Sequence, residues 1–198
     1  MAKKSQTVMV ALLITALIVA LGVFVYVNLP KGSSSGASTQ PAATVLTVTY
    51  NGHQTNYTLQ QLESLESFTA QGGYRTSLPA IRGQGTYTGV RLQTLIDTLG
   101  DVPSQYSIIV HSTDHTNQSY NYSTILGDVP TYDPTDVNDS QPIGHGGLTM
   151  VLAYKYEGSY FNQSKDGILK IVFLDDQGSI TSSKLWWKYV DAIQVISE

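Results

Sequence analysis

From Thr7 to Leu29 the chain runs 23 residues without a charged side chain, between Lys4 and Lys31. As a helix this run rises roughly 35 Å, enough to cross the hydrocarbon core of a bilayer. Lys3 and Lys4 stand at its start, so the positive-inside rule puts residues 1–6 in the cytoplasm and the rest of the chain outside. A cleaved signal peptide would have a shorter apolar stretch, about 7–15 residues, followed by a small-x-small site. Tyr26-Val27-Asn28-Leu29-Pro30 is a poor site of that kind. In a pilin-like subunit the apolar helix would continue into the folded domain, but Pro30 and the Gly/Ser stretch after it stop the helix. The expected organisation is a cytoplasmic tail (1–6), a transmembrane helix (7–29), a Gly/Ser-rich linker (30–43) and one extracellular domain (44–198).

That domain carries 8 Lys and Arg against 15 Asp and Glu, a formal charge of −7. This charge argues against nucleic-acid binding, which needs a basic face, and against adhesion to an anionic lipid surface. Cysteine is absent from the whole chain. Its absence excludes disulfides, thiolate-bound zinc, iron–sulfur clusters, thiol catalysis and a lipoprotein anchor.

Local patterns predict a strand-rich α+β domain. Val45 to Tyr50 alternates apolar and polar residues, Asn51-Gly52 is a type I′ hairpin pair, and Gln54 to Leu59 is the return strand. Thr58 and Gln61 form a capping box for a short helix. Ser67–Ala70 and Tyr74–Leu78 read as two extended pieces around Gly72-Gly73. Val90 to Leu99 has apolar residues at 92, 95, 96 and 99, a helical spacing stopped by Gly100. Strands are predicted at Tyr106–His111, Leu148–Tyr156, Ile168–Leu174 and Ala192–Ile196.

Five of the seven asparagines lie in N-x-S/T sequons: Asn56, Asn117, Asn121, Asn138 and Asn162. With 41 Ser and Thr in 198 residues, chance gives about 1.4 such matches. The excess predicts N-linked glycans on an extracellular face. A heavy sequon load without cysteine fits an archaeal surface protein better than an animal one.

Four blocks occur in a familiar order. They are Tyr87-Thr88-Gly89-Val90-Arg91-Leu92 with Leu95 and Ile96, Leu148 to Gly158 around Ala153-Tyr154, Asp166-Gly167-Ile168-Leu169-Lys170-Ile171-Val172, and Trp186-Trp187-Lys188-Tyr189-Val190 with Ile193 and Val195. The ordered set resembles the sulfite-oxidase-like, molybdopterin-binding oxidoreductase domain family. The resemblance implies a mixed α+β fold cradling a molybdopterin, with a cysteine thiolate on the metal upstream of the Tyr87 block. The matching stretch here, Tyr74 to Arg82, offers only Thr76 or Ser77, and hydroxyls replace a soft thiolate poorly. Near the matching blocks the candidate cations are Arg75, Arg82, Arg91 and Lys188. Lys188 matches the motif lysine, and Arg82 and Lys188 are the cofactor-binding candidates that the resemblance implies.

Other constellations read as structure. His111, Asp114 and His115 have the spacing of a metal pair on a helix, but here they follow a strand, where a loop is the expected setting. Asp128, Asp133, Asp136 and Asp139 form an acidic loop without the EF-hand pattern. His145 sits in a Gly-His-Gly turn. Trp186 and Trp187, if in a strand, face opposite sides, leaving one as a contact anchor. The tyrosines read as packing residues rather than a sugar platform. The functional expectation is a non-catalytic binding or cell-surface module without a cofactor or metal, anchored through residues 7–29 and open to a protein partner. The alternatives are a molybdopterin-dependent oxidoreductase at the outer membrane face and a subunit of an extracellular filament or surface layer.

Overall fold

The computed structural model describes residues 42–136, 138 and 141–197. The expected transmembrane helix at 7–29 lies outside them. Among the described residues no helix is long and apolar enough to cross a membrane.

The first hairpin forms where the sequence places it. Asn51 and Gly52 take positive φ (49° and 77°), which matches the twist of the flanking strands β1 (Thr44–Tyr50) and β2 (His53–Thr58). Thr58 then caps α1 (Leu59–Ser64): its hydroxyl accepts from the Gln61 N–H, and the Gln61 side chain accepts from the Thr58 N–H. Two antiparallel strands follow, β3 (Ser67–Arg75) and β4 (Ile81–Arg91), then α2 (Leu92–Asp97).

The chain continues through β5 (Tyr106–Ser112), β6 (Asn117–Tyr120), α3 (Tyr122–Ile125) and the small ribbon of β7 (Pro130–Thr131) and β8 (Gly144–His145). Next are β9 (Thr149–Tyr156), β10 (Ser159–Tyr160), α4 (Gln163–Asp166) and β11 (Lys170–Leu174). The last elements are β12 (Ile180–Ser182), a 3-10 turn (Ser183–Leu185) and β13 (Val190–Ser197).

These strands form two larger sheets. One has the order β2-β1-β13-β5-β6, with β1 and β13 parallel and the other pairs antiparallel. The other has the order β10-β9-β4-β3-β12, with β11 also paired to β9. This second sheet curls on itself: Gln71 on β3 and Asp175 just past β11 exchange both backbone hydrogen bonds at 3.0 Å. Gly72 permits the closure, because a Cβ there would lie 2.6 Å from the Phe173 carbonyl oxygen. Ser67–Ala70 and Tyr74 are therefore parts of one strand rather than two pieces, and the strand ends at Arg75 rather than Leu78.

The core is densest on this sheet. Every residue of β11 is buried, as are Met150 to Tyr154 of β9. Strands buried on both faces read as continuous apolar runs, which is what Leu148–Tyr156 shows. The expected helix at Val90–Leu99 is shorter. Val90 and Arg91 pair with Leu152 and Val151 and extend β4, so the helix begins at Leu92. Leu92, Leu95 and Ile96 are buried, and Leu99 packs half-buried beyond the helix end. Leu95→Ala should cost about 2–5 kcal/mol in urea unfolding. A loss below ~0.5 kcal/mol would mean that the helix is not packed as described.

Candidate functional site

Three segments distant in sequence meet beside the curled sheet. The end of β3 supplies Tyr74, and the start of β4 supplies Arg82 and, further along, Tyr87. The stretch from β10 through α4 into β11 supplies Phe161, Lys165, Asp166 and Lys170. The segment between the 3-10 turn and β13 supplies Trp186, Trp187, Lys188 and Tyr189. It is fixed by a reciprocal backbone pair between Trp187 and Ile171 of β11 (2.8 and 3.2 Å).

These residues line two adjoining cavities of about 360 Å³ each, which share Tyr74, Lys170 and Lys188. Arg82 and Lys165 complete the cationic lining of one, and Asp114 and Thr116 border the other.

Aromatic rings form the wall. The Tyr87 ring centroid lies 4.8 Å from Tyr156, 5.3 Å from Trp186 and 6.3 Å from Phe161, and Tyr74 lies 5.0 Å from Trp186. The polar ends of three of these rings are occupied by the protein. The Tyr87 hydroxyl donates to the Gly83 carbonyl, the Tyr156 hydroxyl to the Gln84 carbonyl, and the Trp186 indole to the Thr181 hydroxyl, each at 2.7 Å. Burial pushes the Tyr87 phenol far above its ordinary range, so it stays protonated. The Trp187 indole N–H is buried with no partner among the described residues.

One carboxylate organises the charges. Asp166 Oδ1 lies 2.8 Å from Lys188 Nζ and 3.4 Å from Lys170 Nζ. Burial alone would raise the Asp166 carboxyl, but the Lys188 hydrogen bond and the two ammonium charges outweigh it and hold the group below its ordinary value. Lys170 is only 6% exposed. Burial pulls its ammonium below the usual lysine range, with Asp166 opposing. Its Nζ sits 5.1 Å from the Phe161 ring centroid, a cation–π distance. Lys188 is shifted upward, because its bond to Asp166 outweighs partial burial.

The structure thus brings both cofactor-binding candidates, Arg82 and Lys188, to one cleft. It sends the other two cations elsewhere. Arg75 lines a neighbouring cavity of about 230 Å³ with Thr76, Ser77 and Lys184, its guanidinium 5.8 Å from the Tyr132 ring centroid. Arg91 pairs with Glu66 at 2.8 Å and lies over Phe68. Sequence reasoning misses Lys165 and Lys170 as site residues, although the i, i+4 pair Asp166–Lys170 lies within the third block.

Trp186 is buried while Trp187 is half-buried, and they follow a 3-10 turn instead of alternating along a strand. His115 takes φ 65° in the turn between β5 and β6, and Asp114 accepts from the Thr116 N–H and hydroxyl. His145 pairs with Asp128 at 2.6 Å on the surface. Asp133 accepts from Thr135, Asp136 accepts from the Asn138 N–H, and Asp139 lies outside the described residues. All five sequon asparagines are exposed.

The fold has a counterpart among solved structures. The sulfane dehydrogenase SoxCD from Paracoccus pantotrophus superposes with a TM-score of 0.53 at 12% identity, over 77% of this chain and 38% of that one. The chain therefore spans well under half of that neighbour's length, and the likeness shows a shared fold. No protein family matches the chain, and no curated protein does.

The donor set at the site does not fit a molybdenum centre. The chain has no thiolate to offer. Thr76 and Ser77 line the Arg75 cavity, with Thr76 donating its hydroxyl to the Leu78 carbonyl. Among the described residues no three His, Cys, Asp or Glu side chains converge. The cationic lining does fit a phosphate or carboxylate.

Asp166, whose folded value is depressed, contributes stability above the unfolded carboxylate range, near about 3.9, and loses it as the pH falls through the lower folded value. Asp166→Asn should cost roughly 3 kcal/mol at neutral pH by leaving the Lys170 ammonium buried without its counter-charge. Urea unfolding of both proteins from pH 7 to pH 2 should show this difference shrinking in acid. An equal difference at every pH would mean that the ion pairs do not carry the effect.

Proposed function

We propose that this chain is a membrane-anchored binding module, held outside the cell, whose cleft takes a small aromatic anion such as a phosphorylated ring compound. One observation carries this reading. Four of the eight cations of residues 44–198, namely Arg82, Lys165, Lys170 and Lys188, line one cleft in a region of net charge −7. Two carboxylates, Asp114 and Asp166, share that lining, so the cleft reverses the sign of the surface around it. The half-buried rings of Tyr74, Tyr156 and Phe161 supply a face for a flat ring, and the cations a place for its charge. The uncharged run at 7–29 and the sequons support the location.

A second reading, a molybdopterin-dependent oxidoreductase, is favoured by the sulfane dehydrogenase likeness and by the position of Lys188. The missing thiolate disfavours it, because the side chains around the cleft offer molybdenum no soft ligand.

Two measurements separate the readings. Protein from its native host should hold under roughly 0.1 molar equivalents of molybdenum, the level of contamination of a metal-free site. Near-stoichiometric molybdenum would establish the second reading. Calorimetry with phenyl phosphate and with inorganic phosphate should show saturable binding, tighter for the aromatic compound. Arg82→Ala should weaken it about tenfold, the loss of one charge-assisted hydrogen bond. Failure of both anions to bind would end the first reading.

A further inference from the structure

We propose that N-linked glycans on Asn56, Asn117 and Asn121 cap the two open edges of the five-stranded sheet. The outermost strands of that sheet are β2 and β6. Each pairs with one neighbour, β2 with β1 and β6 with β5, and no backbone hydrogen bond from another described residue reaches the outer side of either. An open edge invites pairing with a second chain, and proteins ordinarily blunt it with charge, proline or a cover.

Charge and proline are absent from both strands, and shortness, a further device, blunts only β6, with four residues against six in β2. His53-Gln54-Thr55-Asn56-Tyr57-Thr58 and Asn117-Gln118-Ser119-Tyr120 contain no Lys, Arg, Asp, Glu or Pro. In the curled sheet, by contrast, Gln71 and Asp175 close the seam, and Tyr132 covers β12 by donating its N–H to the Ile180 carbonyl.

What both open edges share is the sequon. Asn56 lies on β2, Asn117 opens β6, and Asn121 directly follows it. All three are exposed. Asn56 Oδ1 accepts from the Thr47 hydroxyl (2.9 Å), and Asn121 Oδ1 accepts from the Ser123 hydroxyl and the Thr124 N–H (3.0 Å each). The amide nitrogens have no partner among the described residues, and Nδ2 is the atom that bonds to sugar. In the transfer, Nδ2 loses one proton and bonds to the anomeric carbon of a lipid-phosphate-linked sugar. The phosphate leaves with the electrons of the broken C–O bond. The bulky, hydrated product obstructs strand addition.

This proposal rests on the outside location in the reading above, not on a ligand in the cleft. Glycopeptide mass spectrometry of protein from its native host should find sugar on Asn56 and on Asn117 or Asn121. A triple variant, Asn56→Gln with Ser119→Ala and Ser123→Ala, removes these three sequons and leaves the helix caps from Thr58 and Asn121 in place. By light scattering it should show at least about a twofold rise in mass at a concentration where the wild type is monomeric. Wild-type protein stripped of its glycans provides the same readout without any substitution. Bare sequons at either edge, glycans confined to Asn138 and Asn162, or stripped protein that stays monomeric would each overturn the proposal. Protease added to intact cells distinguishes the causes. If it cuts the domain, bare sequons overturn the glycan proposal alone; if it cannot reach the domain, the location fails as well.

Discussion

Two ammonium groups share one carboxylate oxygen, and the cleft is organised around that arrangement. Asp166 closes α4, Lys170 opens β11, and Lys188 precedes β13, so the contacts tie three segments together at one point. Two cations on one anion leave a net positive charge, and Lys170 is almost wholly removed from water. Such a group is stable only while the counter-charge stays in place, because an unpaired buried charge costs several kcal/mol. The backbone is built to hold it there. Gly167 turns the chain at φ 78°, and a Cβ at that position would lie 2.5 Å from the Tyr189 Cα. Tyr189 in turn donates its hydroxyl to the Lys165 carbonyl at 2.7 Å.

The likeness to a sulfane dehydrogenase is one of fold, and the chemistry of this cleft has to be read from its own side chains. The curled sheet and the place where Lys188 meets it are read from this chain alone, and the likeness extends to the fold. It does not supply a donor set, and a fold hosts whatever side chains its cleft carries. This cleft carries cations and no thiol, and Asp166 neutralises much of the charge of its nearest lysines. A cleft of this kind can hold an anion by its charge and a ring by its aromatic wall. Neither interaction requires a metal.

Local features are legible in the sequence because their causes are local. Asn51-Gly52, the Thr58–Gln61 box and the Leu92–Leu95–Ile96 stripe each depend on neighbours within a few residues. The helix starting at Leu92 rather than Val90 shows the limit: strand pairing of Val90 and Arg91 with β9, some 60 residues away, overrides the helical spacing. The cationic cleft is less legible for the same reason. Arg82 and Lys188 are 106 positions apart, and only the curling of the sheet brings them together. Of the four cations named from the sequence, two sit in the cleft. Arg91 does not, because Glu66 and the Phe68 ring hold it elsewhere. Lys170 is hidden because a lysine in a fully apolar strand is recognised as a site residue only once its carboxylate partner is seen beside it.

The distribution of charge narrows what can enter. Arg91 and Lys155 are paired outside the cleft with Glu66 and Glu63, and much of the acidic surplus lies on exposed positions away from it such as Asp101, Asp128 and Asp176. A long polyanion laid across this surface would meet repulsion over most of its length, and screening at physiological salt limits any compensating attraction to about 8 Å. A small anion avoids that cost, because it needs only the volume in which Arg82, Lys165, Lys170 and Lys188 dominate. Low-dielectric aromatic walls then concentrate the field where its charge would sit. On the proposed reading this acidity acts as a size filter, and selection would fall to the fit of a ring against the half-buried Tyr74, Tyr156 and Phe161.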